Sequence, residues 1–352
     1  MLVVVTATVM AQPPANYYNT ATGTGYTLKT QLFNIIKNHN DPGYSALYTT
    51  YLTSDRDFFF ENDGTVLDIY SERPTATDPY NYSATNSNDR CGNYDEEGDC
   101  YNREHIIPQS VFDSQTPMYS DAHFVVPSDG FVNGARGSLP FGRVANANYT
   151  SQNGSKRGPN LNSGYSAGYT GLVFEPIDEF KGDIARMYFY FATRYQNQIS
   201  GWDYEMFNGT SNQVFTNHSI NVLLTWHIQD PVSPREITRN NAIYNQQNNR
   251  NPFIDNPQYA LDIWGSLLSN NEFEAAEAIA VAPNPSADGS ATITSAVSID
   301  SVEVYTVNGQ LAQTFKSVNN GTEISLKGLP QGFYFLKINS GFRSISKKWV
   351  VR

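Results

Sequence analysis

Two short segments concentrate the residues of this chain that could carry out hydrolytic chemistry. Residues 97–110 read EGDCYNREHIIPQS, and residues 128–142 read SDGFVNGARGSLPFG. The imidazole of His105 would be largely neutral at pH 7 and could accept a proton from water. The carboxylate of Glu104 and the amide oxygen of Asn133 are hard oxygen ligands of the kind that suit Mg²⁺.

A phosphodiester is a substrate that this combination suits. Its anionic oxygens repel hydroxide and its alkoxide is a poor leaving group, so hydrolysis needs a base, a cation at the phosphate and help for the leaving oxygen. Arg136 follows Asn133 by three residues, and on a helix the two would share a face. Each residue alone has a simpler interpretation: a strand-end histidine, a structural asparagine, a solvated arginine. Only their co-occurrence favours catalysis.

The local pattern around these residues predicts the elements that would position them. Extended residues 103–107, a loop, extended residues 123–126 and a helix from about Asp129 give strand–loop–strand–helix. Ser128 is the expected N-cap of this helix, with Asp129 in its first turn.

The rest of residues 17–265 reads as one α+β unit. Apolar residues at helical spacing predict helices near residues 28–36, 180–195 and 219–229. A further helix should begin at Ser233, with Pro234 in the first helical position and Glu236 completing a capping box. Extended segments such as residues 65–69 should lie between the helices.

The C-terminal part has a different composition. Residues 266–280 are acidic and rich in alanine near their end, which predicts a linker or short helix. Residues 281–352 alternate apolar and polar positions between Asn-Gly and Pro-Gln-Gly turns, which predicts a small all-β sandwich of short strands. The expected strands are residues 291–294, 301–307, 323–326, 333–338 and 346–351.

The N-terminus and the two cysteines bear on the compartment. Residues 1–16 resemble the end of a secretory signal peptide, with a buried N-terminal strand as the alternative. Cys91 and Cys100 alone cannot form a tetrahedral zinc site. In an exported chain they favour one disulfide that closes a short loop, and two free thiols are the alternative. No apolar run approaches the roughly 20 residues of a membrane-spanning helix.

The charge distribution limits how the chain could hold a polyanion. The formal net charge is −11, so general electrostatic binding of nucleic acid is disfavoured. The acidity lies largely outside the motif region: residues 51–100 hold twelve acidic and three basic residues, whereas residues 101–200 hold eight of each. Scattered solvated arginines are one interpretation. The alternative is a phosphate track that includes Arg103, Arg143, Arg235, Arg239 and Arg250.

These motifs resemble the bacterial endonuclease I family, within the ββα-metal (His-Me finger) nucleases. The resemblance covers most of residues 17–265 in the order of the family's motifs. It is carried by NREHIIPQS (102–110), DAH (121–123), PSDG (127–130), VNGARG (132–137), FEP (174–176), KGDIAR (181–186) and NRNPF (249–253).

The resemblance implies a secreted, largely sequence-nonspecific endonuclease of DNA and RNA that leaves 5′-phosphate ends. It implies that His105 is the general base, and that Glu104 and Asn133 hold one Mg²⁺, or Mn²⁺ or Ca²⁺ in its place. A separate arginine stabilises the phosphate in such enzymes, and that role is assigned here to Arg136 or Arg186. Asp121 and His123 are expected to support the finger structurally, with His123 on the second strand. The alternative function is an inactive surface binding or adhesion protein on a nuclease scaffold.

Residues 281–352 resemble the C-terminal sorting domain of type IX secretion. The resemblance is carried by VAPNPS (281–286), VY (304–305), LPQGFYF (329–335) and KKWVVR (347–352). It implies recognition by the type IX machinery and a product that is secreted or held at the cell surface. A carbohydrate- or adhesion-type binding module is the alternative, although the aromatic residues of this part read as packed within strands.

Overall fold

The computed structural model describes residues 13–277, 279–295, 299–316, 322–340 and 343–352. The expected signal segment, residues 1–16, therefore lies mostly outside the described residues. The chain forms two compact units. One comprises the described residues up to Leu161 together with Thr170–Gly265, and the other comprises Asn162–Tyr169 and Ser266–Arg352. The grouping of residues 162–169 with the second unit differs from the expected division at residue 265.

A fully buried helix forms the centre of the first unit. In α4 (Lys181–Arg194), every residue from Lys181 to Thr193 is buried, as expected for a helix inside a core. Its aromatic side chains pack against rings of other elements, for example Phe189 against Trp264 with centroids 5.1 Å apart. The other α-helices among the described residues are α1 (Gly25–Ile36), α2 (Leu47–Ser54), α3 (Gly130–Arg136), α5 (Asn217–Gln229), α6 (Pro234–Gln247), α7 (Pro252–Asp255) and α8 (Gln258–Glu277).

The predicted start of α6 is confirmed in detail. The Ser233 hydroxyl accepts a hydrogen bond from the Glu236 backbone N–H at 3.2 Å, and the Glu236 carboxylate accepts one from the Ser233 N–H at 2.9 Å. Pro234 occupies the first helical position. This capping box satisfies two amide donors that a helix start leaves without partners.

The strand–loop–strand–helix prediction is also confirmed. β1 (Tyr101–His105) pairs antiparallel with β2 (Val125–Asp129), and α3 follows directly. We call β1, β2 and α3 the finger. Two details differ from expectation: the N-cap of α3 is Asp129, whose carboxylate accepts the Val132 N–H at 2.7 Å, and His123 lies in the turn before β2. A carboxylate accepts this bond more strongly than the Ser128 hydroxyl would.

A second small sheet completes the first unit. β3 (Tyr149–Thr150), β4 (Lys156–Pro159) and β5 (Leu172–Glu175) form an antiparallel sheet in that order. Residues 65–69, expected to be extended, form no strand. They contribute one bridge, from Val66 to Arg56, and then enter a turn. The carboxylate of Asp68 accepts the Tyr70 N–H at 2.8 Å, which closes this turn instead of extending a strand.

The second unit is a β-sandwich, as predicted. Together with the α+β first unit, it confirms the expected fold class. A three-stranded sheet has the order β10–β7–β6 and a four-stranded sheet the order β12–β11–β8–β9. Trp349 and Leu336 are fully buried in its core. Its strands are β6 (Ile279–Ala282), β7 (Ala291–Ser295), β8 (Ser301–Thr306), β9 (Leu311–Lys316), β10 (Glu323–Leu326), β11 (Gly332–Ser340) and β12 (Arg343–Val351).

Two features near this unit were not predicted. β6 and β9 were missed, because β6 directly follows the Ala-rich segment and the residues of β9 are mostly exposed, so its burial does not alternate. In the segment 266–280, expected to be a linker or a short helix, residues 266–277 form the second half of the long helix α8. Ala and Glu are strong helix formers, so the EFEAAE run continues the helix.

Candidate active site

One cavity contains the chemistry-bearing residues of the finger. It has a volume of about 370 Å³ and is lined by His105, Glu104, Asn133, Arg136 and Arg103, among others. Three of these side chains come from β1 and two from α3. Antiparallel pairing of β1 with β2, followed at once by α3, brings the end of β1 beside the helix. The expected base, metal ligands and two arginines therefore share one site.

The ring of His105 is buried at the end of β1 and held in one orientation. Its Nε2 lies 3.1 Å from the backbone oxygen of Tyr119, and the two rings stack with an interplanar angle of 11°. A carbonyl oxygen can only accept, so Nε2 carries the proton and Nδ1 is left as the acceptor. Burial lowers the pKa of His105 to about 4, and the charges of Arg103 and Arg136 act in the same direction. The imidazole is thus neutral at pH 7.

Glu104 is a buried carboxylate with two partners. The Tyr70 hydroxyl donates to its Oε1 at 3.0 Å, and Nη1 of Arg136 lies 3.2 Å from the same oxygen. Oε2 is the carboxylate oxygen that neither group takes. Burial raises the pKa of Glu104 to about 7, against the opposing effects of the Arg136 charge and the Tyr70 hydrogen bond. A divalent cation beside this carboxylate would favour its charged form.

The amide of Asn133 is oriented by a neighbour on β1. Its Nδ2 donates to Oδ1 of Asn102 at 2.6 Å. Because the nitrogen is committed, the amide oxygen of Asn133 is the atom left for a ligand. Asn102 also lines the cavity and has this orienting contact.

Arg136 is in the cavity wall, but its guanidinium is already engaged. It is 1% exposed and donates to the backbone oxygens of His105 at 3.1 Å and Ile106 at 2.8 Å, besides its pairing with Glu104. These contacts tie α3 to the end of β1. Arg136 therefore holds Glu104 and the His105 backbone in position, a different role from the phosphate contact expected of it.

Arg103 lines the cavity and forms no ion pair among the described residues, so its charge is available to an anion. It is half-buried, its guanidinium carbon lies 3.5 Å from the Tyr44 ring centroid and 4.4 Å from that of Tyr48, and Nη1 donates to the Tyr44 backbone oxygen at 3.1 Å. Stacking on aromatic rings holds an arginine without neutralising its charge. Arg143, also expected to contact nucleic acid, is half-buried and does not line this cavity.

Four other arginines expected near the substrate lie inside the protein. Each is at most 5% exposed and pairs with a buried carboxylate, so none can reach a nucleic acid. This corrects the expectation for all four, because charge spacing in the sequence does not distinguish a solvated arginine from a buried one. The pairs, at 2.5–2.8 Å, are Arg186–Glu236, Arg235–Asp183, Arg239–Asp55 and Arg250–Asp255.

Asp121 and His123 lie behind the finger and make structural contacts. The Asp121 carboxylate is fully buried and accepts hydrogen bonds from the hydroxyls of Tyr190 and Tyr195, each at 2.8 Å. His123 packs on the Tyr190 ring, and its Nε2 lies 3.1 Å from the backbone oxygen of Asn249. These contacts tie the turn before β2 to α4.

A disulfide between Cys91 and Cys100 closes the loop that leads into β1, as predicted. The Cys91 N–H donates to the Tyr101 oxygen at 2.8 Å, and the Gly130 N–H donates to the Cys100 oxygen at 2.9 Å. The disulfide therefore contacts both β1 and the first residue of α3. A Cβ added at Gly130 would lie 2.5 Å from Sγ of Cys91 and 2.8 Å from the Tyr94 ring.

We expect Gly130→Ala to lower the melting temperature by several degrees and to reduce activity. The sulfur is fixed by the disulfide and cannot move away from the new methyl group, and overpacking of this kind costs about 1–3 kcal/mol. Gly92→Ala is the matched control, because nothing lies within 4 Å of its added Cβ. Thermal melts of both variants check the prediction, and equal stability of the two would contradict it.

Sequence reasoning missed the aromatic residues of the site. Tyr70 and Tyr44 come from segments before the motif. Tyr119 contacts His105 through its ring and its backbone oxygen, and it lies between the two motifs. Asn102 lies within the motif and could have been found, since a second amide next to a candidate ligand is a natural orienting partner.

Comparison with known proteins identifies relatives of both units. Residues 24–258 match the endonuclease I family, and residues 280–352 match the secretion system C-terminal sorting domain. Extracellular ribonucleases of Bacillus amyloliquefaciens and Bacillus subtilis (strain 168) are 35% and 36% identical to this chain over 253 residues. The matches cover 70% of this chain and 78% of each relative.

Among solved structures, PorZ of Porphyromonas gingivalis, a surface component of the type-IX secretion system, aligns with a TM-score of 0.20 and 20% identity. The alignment covers 22% of this chain and 12% of PorZ, which is too little to support an argument. In the part of the chain that the structure describes, every helix is too short or too polar to cross a bilayer.

Proposed function

The chain belongs to the endonuclease I family, and from that premise we propose that it is a secreted, Mg²⁺-dependent nuclease that cleaves both DNA and RNA with little sequence preference. One observation carries the proposal: a neutral, oriented His105 shares a cavity with the oxygen ligands of Glu104 and Asn133. The names of the two Bacillus relatives support RNA as a substrate beside DNA.

His105 is the general base in this proposal. Its Nδ1 takes a proton from the attacking water while the Tyr119 carbonyl holds Nε2–H and stabilises the imidazolium that results. The low pKa of the buried ring keeps it ready to accept at neutral pH. The surrounding burial also keeps the ring from turning Nδ1 away from the cavity.

Glu104 and Asn133 are the residues that would hold Mg²⁺. Both offer hard oxygens, and both are oriented by a second residue, Arg136 for the carboxylate and Asn102 for the amide. When bound, the ion supplies positive charge at the phosphate and at the departing 3′ oxygen, so that cleavage leaves 5′-phosphate ends.

Arg103 contacts the phosphate backbone in this proposal. Among the described residues it forms no ion pair with a carboxylate, and its guanidinium stacks on the Tyr44 ring in the cavity wall. Contacts to phosphates position a nucleic acid without reading its bases. This favours cleavage at many sequences and recognition of DNA and RNA alike.

The C-terminal sorting domain accounts for delivery of the protein. It directs the chain to secretion or to the cell surface through the type IX machinery. We propose that the tail, residues 281–352, is removed there. Mass analysis of the secreted form tests this step, and an intact tail in the culture medium would argue against it.

The metal requirement of the nuclease is tested with supercoiled plasmid and a structured RNA, each incubated with the purified protein. We expect both to be degraded in Mg²⁺, both reactions to stop in EDTA, and excess Mg²⁺ to restore them. The DNA products should be joined by ligase without prior treatment by kinase, since they carry 5′-phosphates. Retention of plasmid without cutting would instead favour an inactive binding protein.

A further inference from the structure

A second group of carboxylates lies outside the active-site cavity. One oxygen from each of Asp57, Glu61 and Glu72 lies within 4.8 Å of the oxygens of the other two. We call these three residues the acidic cluster. Asp57 and Glu72 are each 1% exposed, and Glu61 is exposed. None of the three lines the cavity that holds His105.

The backbone around Asp57 is folded so that Glu61 returns to it. Oδ1 of Asp57 accepts the N–H groups of Phe59 at 3.0 Å and Phe60 at 2.9 Å, and Oδ2 accepts that of Asn62 at 3.0 Å. These bonds hold residues 57–62 as a tight loop. Oδ2 accepts one of these bonds and keeps a lone pair for another ligand, whereas Oδ1 already accepts two.

Glu72 gives the observation that points to a ligand. Its side chain is buried beside the other two carboxylates, yet its Oε1 has no hydrogen-bond partner. Buried polar atoms nearly always have partners, so an unpartnered carboxylate oxygen here indicates a missing group. Burial, then the charges of Asp78, Glu61 and Asp57, and a side-chain hydrogen bond with Glu61 raise the pKa of Glu72 to about 9.

No positive side chain among the described residues compensates the acidic cluster. Neither Asp57, Glu61 nor Glu72 has an ion pair within 4.0 Å in the described part of the chain. The arginines adjacent in sequence to Asp57 and Glu72 donate to backbone oxygens instead: Arg56 to that of Gly64, and Arg73 to that of Gln152. Without a counter-charge the repulsion among the three carboxylates favours the protonated form of Glu72, and a bound cation would relieve the same repulsion with all three charged.

We propose that the acidic cluster binds a Ca²⁺ ion that is distinct from the catalytic metal. The donors are all oxygens, which excludes a preference for soft metals. Ca²⁺–oxygen distances of about 2.3–2.6 Å allow ligand oxygens up to roughly 5 Å apart, which matches the spacing of the cluster. Ca²⁺ also accepts irregular geometry, as this loop provides, whereas Mg²⁺ demands a near-ideal octahedron.

The bound ion would stabilise a turn that reaches the active site. Glu72 ends the turn that begins at Asp68, where the Glu72 N–H donates to the Asp68 oxygen at 2.9 Å. Tyr70 stands in the middle of this turn and donates its hydroxyl to Glu104. The Ca²⁺ ion therefore fixes one end of the segment that orients a candidate catalytic ligand.

Calorimetric titration and thermal melts of the EDTA-stripped, full-length protein test the proposal without nucleic acid. With excess Mg²⁺ added to occupy the site of Glu104 and Asn133, we expect one Ca²⁺ site with a dissociation constant of about 10⁻⁴ M or tighter, typical of extracellular sites. Saturating CaCl₂ should raise the melting temperature by about 5 °C. Glu72→Gln keeps the shape of the side chain and should lose both effects.

Three further variants keep the test decisive. Glu61→Gln changes an exposed side chain, so it should fold normally and still weaken Ca²⁺ binding at least tenfold. Glu96→Gln, an exposed glutamate outside the cluster, and Asn133→Ala, in the finger, should both keep the wild-type Ca²⁺ response. Equal Ca²⁺ stabilisation of wild type and Glu72→Gln, no measurable binding, or tighter binding of Mg²⁺ than of Ca²⁺ would overturn the proposal. These readouts do not depend on nuclease activity.

Discussion

His105→Ala should lower the rate of plasmid and RNA cleavage by at least about 10³-fold. A positioned general base contributes roughly 10²–10⁴-fold, and alanine leaves no group in the cavity that can take the proton from water. Glu104 does not replace it in this proposal, because Tyr70 and Arg136 occupy its Oε1 and its Oε2 is the oxygen offered to the metal ion. The loss should appear in kcat, with substrate binding little changed.

Two controls separate lost chemistry from lost folding. His39→Ala changes a half-buried histidine that does not line the cavity, and it should keep most of the activity. His105→Gly should regain part of its activity when imidazole is added, because the ring can diffuse into the vacated space. Cleavage by His105→Ala at the wild-type rate would exclude the proposed mechanism.

Glu236→Ala should destabilise the protein by about 3–5 kcal/mol, the largest effect on folding that we expect from one residue. Removal of this carboxylate takes away the group to which Nε and Nη2 of the buried Arg186 both donate. The carboxylate that remains, Asp183, lies 4.0 Å from Arg186 and already pairs with Arg235. The capping box with Ser233 is lost as well. The melting temperature should fall by roughly 10 °C.

The neighbouring position Thr238 provides the control for helix α6. Its side chain is exposed and contacts only the Pro234 backbone oxygen, so Thr238→Ala should change the melting temperature by no more than about 1–2 °C. The double variant Arg186→Met with Glu236→Met removes both charges and should recover much of the loss. If Glu236→Ala melts like wild type, the pair does not contribute to folding.

The finger could be predicted because its information is local. β1, β2 and α3 occupy consecutive segments, and the residues that form the cavity wall are mostly in the two motifs. The family resemblance and the disulfide were predicted on the same basis and are confirmed. Short-range patterns also predicted the central helix and the start of α6, since apolar spacing and capping residues act within a few positions.

The sequence alone did not indicate which charged residues are buried by contacts between distant segments of the chain. Arg186 and Arg239 look like solvated charges in the sequence, but their carboxylate partners, Glu236 and Asp55, lie 50 and 184 positions away. Tyr70 contacts Glu104 across 34 positions, and no motif in the sequence indicates this contact. Tertiary pairing of this kind decides whether a charged residue meets substrate or supports the core.

The disulfide links the maturation of this nuclease to its place in the cell. The Cys91–Cys100 bond contacts the entry to β1 and the start of α3, the two elements that supply every candidate catalytic side chain. In the reducing cytoplasm the two thiols remain unlinked, so the newly made chain lacks this clamp while it is near the chromosome of its own cell. Oxidation after export forms the disulfide and so links the loop before β1 to the finger.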